Sequence, residues 1–330
     1  MSTGVAIPVF CASLAATLGA TVVFARRLDR LSARLEVSEG LHGILTALGA
    51  DAPEISTAIA ALVASHAKIG VGVVVGSNVF NLAALLGLSA LVAGHVRIHR
   101  HGLLLNGGVA VVITAIAVGL VLGAIGAAVA TVLLAVVFVP YVAMLSLRTA
   151  RIQKAPGPVR SFLVAAVREE AVDVRTGEHP PPASRLDLAV LAGALAVVVL
   201  GSVGMVQAAT DLGDRWGVSD VIVGTLVLAA LTSLPNLLTA VRLALRGRGA
   251  ATVSEAFNSN SLNVIAGIAI PALFLTLGPA GGLVTFSMWW LLGMTLLAVV
   301  FAYAGHGVRR VEGAAVIALY VAFAVVIASQ

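Results

Sequence analysis

A chain of 330 residues with 60% hydrophobic and 11% charged side chains, and a mean hydropathy of +1.07, is excluded from the soluble globular class. The formal net charge of +5 sits on basic residues between apolar runs rather than on one amphipathic face. That excludes a nucleic-acid surface and fits the loops of a membrane protein. One cysteine, Cys11, excludes an internal disulfide framework and a cysteine-built metal site.

Apolar stretches near bilayer length recur along the chain. They predict ten spans, at roughly 5–25, 40–65, 70–93, 102–121, 124–147, 186–209, 219–243, 252–277, 281–302 and 312–329. No Lys or Arg precedes the first run at Val5, so it reads as a retained helix rather than a signal peptide. The run "HVRIHRH" at 95–101 reads as solvated interface between spans, despite histidine spacing that invites a metal. The connection 148–185 is the long polar segment; its "VRSFLVAAVREE" could lie as an amphipathic helix on the membrane surface or form a solvated linker. Sorting the 20 Lys and Arg by connection puts 18 on the odd side and only Lys68 and Arg215 on the even side. The odd connections are therefore expected in the cytoplasm and both termini outside.

The long connection divides the spans five and five, into 1–147 and 186–330, and the halves resemble each other. Val37-Ser38-Glu39 matches Val218-Ser219-Asp220, Pro53 matches Pro235, Ser77-Asn78 matches Ser259-Asn260, and Asn81 matches Asn263. From the prolines onward the offset is a constant 182 residues. Halves with an odd number of spans must insert in opposite senses, an architecture of inverted repeats that meet at the midplane. The matched motifs fall in 40–93 and 219–277. Each proline removes a backbone hydrogen bond, which predicts a broken helix in each repeat, with carbonyls freed near Gly49 and Ala50 and near Leu231 and Thr232. Ser77 with Asn81, and Ser259 with Asn263, are four apart and share a helix face. Carbonyl, hydroxyl, amide and carboxylate oxygens are the ligands that sodium and calcium take. Asp51 and Glu54 add ionisable groups where charge is costly, and such residues default to function.

The segments "GADAPE" with "GSNVFN", and "TSLPN" with "NSNSLN", resemble the two alpha repeats of the cation/calcium exchanger superfamily. The first repeat, "IGVGVVVGSNVFN", is similar to the potassium-dependent sodium/calcium exchanger branch. The resemblance implies an all-α membrane protein of ten helices, with helices 1 and 6 sliding past a core. It implies calcium and sodium as the transported ions and Glu54 as a calcium-ligating carboxylate. Three departures stand out. Asn236 occupies a position that is normally Glu or Asp, and Asn263 one that is often Asp, which argues against potassium co-transport. Asp51 stands where Ser or Thr is usual, and with Glu54 it restores a nominal charge of minus two.

The expected cation ligands are thus Asp51 and Glu54 by charge, and Ser77, Asn81, Ser233, Asn236, Ser259 and Asn263 by neutral oxygens, with carbonyls around Ala50 and Thr232. Glu255, one turn before Ser259, reads either as lining the ion path or as a solvated mouth residue. His42, Phe80, Phe257 and Gly70, Gly72 and Gly76 read as packing residues. The expected function is sodium/calcium antiport in the plasma or inner membrane, with no cofactor, no enzymatic chemistry and no nucleic-acid partner. A monovalent cation/proton or calcium/proton antiporter is the alternative; a transport-dead sensor or scaffold is a third. Nothing in the sequence fixes the oligomeric state, and a monomer suffices for the site.

Overall fold

The computed structural model describes residues 1–34, 39–146, 185–247 and 249–330. The connection 148–184, including "VRSFLVAAVREE", and the side chain of His42 lie outside the described residues. The first half contains α1 (Thr3–Arg34), α2 (Glu39–Val63), α3 (Ala67–Ala93), β1 (His95–Arg97), α4 (Arg100–Val121) and α5 (Ala127–Ser146). The second contains α6 (Arg185–Trp216), α7 (Asp220–Thr232), α8 (Leu234–Leu245), α9 (Gly249–Val264), α10 (Gly282–Ala304), β2 (Gly307–Arg309) and α11 (Arg310–Ala328).

Seven of these helices are long and apolar enough to cross a bilayer, and the bent pair α7 and α8 makes an eighth. The helices α2 and α9 carry the polar residues of the repeats, and α9 is 16 residues long. The span of α3 is 94% buried against 17% for α1, so α3 lies at the centre and α1 at the periphery. Glycine permits that centre. A Cβ on Gly76 would lie 2.1 Å from the Thr225 carbonyl oxygen, so only glycine lets α3 and α7 meet backbone to backbone. Gly70 is likewise pressed against Leu62 and Gly72 against Thr225, while Phe257 is fully buried and Phe80 packs edge-on against Tyr320, as packing residues should.

The two prolines do not act alike. The chain bends by 45° between α7 and α8 at Ser233, two residues before Pro235. In contrast, α2 runs through Pro53 as one helix from Glu39 to Val63, so the expected break in the first repeat is absent. A proline costs its helix one hydrogen bond, which packing can absorb when the flanking ladder is regular. The ladder of α7 is not regular. A π-helical segment, Val223–Leu228, precedes the bend, and the Thr232 hydroxyl donates to the Leu228 and Ala229 carbonyls. Two more π segments, Leu82–Leu88 and Ile265–Ala269, follow Asn81 and Val264 at matching places in the repeats.

Tertiary contacts sort the connections into two ends. At one end Arg27 and Arg30 pair with the buried Asp187, joining α1 to α6. At that level β1 and β2 form an antiparallel ladder, His95↔Arg309, Val96↔Val308 and Arg97↔Gly307. Part of the "HVRIHRH" run is therefore ordered as a strand, the one departure from an all-helical plan among the described residues. Gly249 abuts the backbone of Arg97, bringing the start of α9 to the ladder. At the other end the Met1 ammonium pairs with Asp211 at 2.5 Å, and His66 lies 3.8 Å from Asp220.

Candidate cation site

The carboxyls of Asp51 and Glu54 are fully buried, three residues apart on α2, and point at the bend between α7 and α8. Ser233, at the bend, donates its hydroxyl to Glu54 Oε1 at 2.9 Å. Asn236, one turn into α8, places Nδ2 2.7 Å from Asp51 Oδ1 and 3.0 Å from Glu54 Oε1. The Ser259 hydroxyl, from α9, donates to Asp51 Oδ1 at 2.5 Å and accepts from Asn81 Nδ2 of α3 at 3.1 Å. Elements of both repeats thus close around two acids that come from the first repeat alone.

The hydrogen bonds use only part of the oxygen available. Asp51 Oδ2, Glu54 Oε2, Ser77 Oγ, Asn81 Oδ1, Asn236 Oδ1 and Asn263 Oδ1 are buried and accept nothing from any described residue. Buried polar atoms are normally paired, and a carboxylate oxygen left alone in an apolar interior is costly. Oxygens of these types are the donors that a hard cation takes, calcium about six to eight of them at 2.3–2.6 Å. They do not make a site of the clustered-carboxylate kind: no group of three His, Cys, Asp or Glu side chains gathers among the described residues. Two acids with amides and hydroxyls suit a divalent ion, or monovalent ions shared among the neutral oxygens.

All eight side chains expected as ligands are buried, and Asp51, Glu54, Asn81, Ser233, Asn236 and Ser259 form one hydrogen-bonded cluster. Ala50 and Thr232 are buried beside it, although the Thr232 hydroxyl is turned back onto its own helix. Glu255 is partly buried one turn before Ser259.

Two polar pairs carry no expectation from sequence. Asn78 Nδ2 donates to the Asn260 carbonyl at 3.0 Å, and Asn260 Nδ2 donates to the Asn78 carbonyl at 3.1 Å. These reciprocal bonds join residues 182 apart and hold α3 against α9. Asn263 Nδ2 adds a third bond, to Asn78 Oδ1 at 3.2 Å. The constant 182-residue offset already matched Asn78 with Asn260; what it lacks is the knowledge that the matched residues touch. The second pair is Thr57 of α2 with Ser202 of α6, hydroxyl to hydroxyl at 3.2 Å, one turn from Glu54.

Fold and site together define a multi-pass, mostly helical membrane protein with a buried cluster of acid, amide and hydroxyl groups drawn from both halves of the chain. The family described as sodium/calcium exchanger protein matches residues 5–150 and again 186–328, and the chain belongs to that family. Among characterised relatives it is similar to the sodium/calcium exchanger MaX1 of Methanosarcina acetivorans, 28% identical over 141 residues that cover 43% of this chain and 40% of that protein. It is also similar to mouse sodium/potassium/calcium exchanger 1, 32% identical over 142 residues, 41% of this chain and 13% of the relative. The similarity therefore spans less than half of each relative's length. Among solved structures, the sodium–calcium exchanger NCX_Mj superposes with a TM-score of 0.63 at 22% identity over 99% of both chains. The H+/Ca2+ exchanger CAX gives 0.71 at 15% identity over 98% of this chain and 85% of its own. At these identities the likeness is one of fold.

Proposed function

We propose that this chain is a secondary antiporter that exchanges sodium for calcium, built from ten spans in two inverted five-helix repeats. The observation that carries the reading is the hydrogen-bonded cluster of Asp51, Glu54, Asn81, Ser233, Asn236 and Ser259, in which Asp51 Oδ2, Glu54 Oε2, Asn81 Oδ1 and Asn236 Oδ1 stay buried without a partner. Asp51 and Glu54 supply charge; Ser77, Asn81, Ser233, Asn236, Ser259 and Asn263 supply neutral oxygens, with carbonyls near Ala50 and Thr232. Calcium and sodium compete for the same oxygens, so one leaves as the other enters. Exchange follows as the joined pair α1 and α6 moves past the core and opens the site to either side in turn. Several findings support the ten-span count. Among the described residues, contacts between connections join odd with odd or even with even: Arg27 with Asp187, β1 with β2, His66 with Asp220. The reciprocal Asn78–Asn260 bonds support the two-fold relation. The charge split supports a plasma or inner membrane location with both termini outside.

Calcium uptake into proteoliposomes, with sodium, potassium and proton gradients imposed separately, tests the reading. Uptake driven by an outward-directed sodium gradient alone is the expected result, and Glu54→Gln, which keeps shape and removes charge, should abolish it while the protein still inserts. A proton-coupled exchanger is the second reading. It is favoured by the single amide nitrogen that contacts both Asp51 and Glu54, because acids held that close readily share a proton. Calcium uptake that follows a pH gradient and ignores sodium would establish it instead.

A further inference from the structure

Away from the cation centre, the β1–β2 ladder closes a pocket at the end of the bundle where α3 stops and α11 starts. The cavity, of about 420 Å³, is lined by Gly94, His95, Arg309, Arg310, Val311 and Glu312. That volume lies within the range of small-ligand sites, roughly 300–1,000 Å³. We infer that it binds the phosphate of an anionic lipid headgroup.

Arg310 is the reason. Its Nε donates to the Leu91 carbonyl at 3.3 Å, which fixes the guanidinium plane and leaves both Nη groups for another acceptor. Among the described residues no carboxylate pairs with it. A guanidinium held by one edge presents the other as a two-pronged donor, the geometry that suits phosphate oxygens. Gly94 forms the facing wall. It turns with φ of +84°, a conformation that favours glycine, and a Cβ there would meet Arg310 Nη2 at an ordinary contact distance of 3.7 Å.

The one acid in the lining is already engaged. Glu312 takes Arg309 Nη2 at 2.5 Å and the Arg309 backbone N–H at 3.1 Å. His95 adds a ring nitrogen to the pocket. The lipid source follows from Val311, which lines the same cavity and is 79% exposed at the first turn of a span. An apolar wall next to a cationic one suits a headgroup continuous with acyl chains rather than a free anion. Basic pockets between membrane helices are known to hold such headgroups. The inference is independent of which ions are exchanged; only the leaflet that supplies the lipid depends on the orientation proposed above.

Thermal unfolding of the full chain in neutral detergent tests it, titrated with short-chain phosphatidylglycerol, phosphatidylcholine or inorganic phosphate. Phosphatidylglycerol should stabilise saturably and phosphatidylcholine should not. Arg310→Gln should weaken the apparent affinity at least about fivefold, the factor for one cation near an anionic surface. Glu312→Gln keeps a capping side chain, removes the competing charge and should tighten binding, a gain that misfolding cannot imitate. Arg242→Gln, exposed on α8 at the same end of the bundle, should change nothing. Equal loss in Arg242→Gln and Arg310→Gln would reduce the effect to general charge attraction and overturn the site. Stabilisation by inorganic phosphate at matching concentrations would overturn the lipid assignment in favour of a free anion. Equal response to both lipids would overturn the inference altogether.

Discussion

Replacing Asp51 by serine isolates the question of where the second negative charge comes from. Asp51 Oδ1 and Glu54 Oε1 lie 2.7 and 3.0 Å from the same Asn236 nitrogen, so an ion held by one acid is within a few ångströms of the other. Unit charges 4 Å apart attract by about 4 kcal/mol at an effective dielectric of 20, and a divalent ion doubles that to about 8 kcal/mol. Several kcal/mol of this is returned because a buried carboxylate no longer has to be desolvated. A net loss of about 3–5 kcal/mol remains, which is at least a hundredfold in calcium affinity. Serine also leaves the Ser259 hydroxyl without its acceptor on α2, while the Asn236 amide keeps Glu54 Oε1, and neutral groups can re-pair with each other at little cost. Calorimetric calcium titration of the purified protein and calcium uptake in proteoliposomes give the two readouts. Adding Asn236→Glu to Asp51→Ser moves the charge to α8 at the same nitrogen's position and should recover a substantial part of both. Calcium affinity of Asp51→Ser within twofold of wild type would refute the argument and leave Asp51 as a hydrogen-bonding residue only.

The reciprocal asparagines predict a coupled pair. Asn260→Ala deletes one side-chain bond and Asn78→Ala two, since Asn78 Oδ1 also accepts from Asn263; each leaves one carbonyl without its donor across the α3–α9 contact, which costs about 1–3 kcal/mol. In a double-mutant cycle read by thermal unfolding, the double variant should be less destabilised than the sum of the singles, whereas strict additivity would mean that the two bonds are independent. For topology, cysteines at Gly177 and Asp214 in a Cys11→Ala background should differ in labelling by an impermeant reagent added to intact cells. Labelling at 214 alone is expected; labelling at 177 alone, or equally at both, would sink the termini-outside arrangement.

The repeat was legible in the sequence because membrane helices keep their polar residues where they are needed, so prolines, serines and asparagines stood out against an apolar background. Glu54, Ser77, Asn81 and Ser259 were readable for that reason, and the 182-residue offset indicated which residues correspond. Three things were not. The continuity of α2 through Pro53 depends on how neighbours pack the kink, which no local rule contains. The π segments after Asn81 and Val264 differ from α-helix only in which carbonyl each N–H selects, a choice made by tertiary fit. The His95–Arg97 strand exists because its partner, Gly307–Arg309, lies two hundred residues away, and neither segment has strand periodicity of its own. Span ends were also underestimated at α1 and α6, which run on to Arg34 and Trp216 because charged residues extend a helix into the interface without making it apolar.

The division of labour between α2 and the α7–α8 pair has a consequence for how the halves combine. One helix carries both acids and stays unbroken; its counterpart carries none and bends. A protein assembled from two copies of the first half would force four carboxyls into one centre, and one assembled from two second halves would hold none. Under the proposed function, neither symmetric product would reproduce the two-acid centre, so each half complements the other.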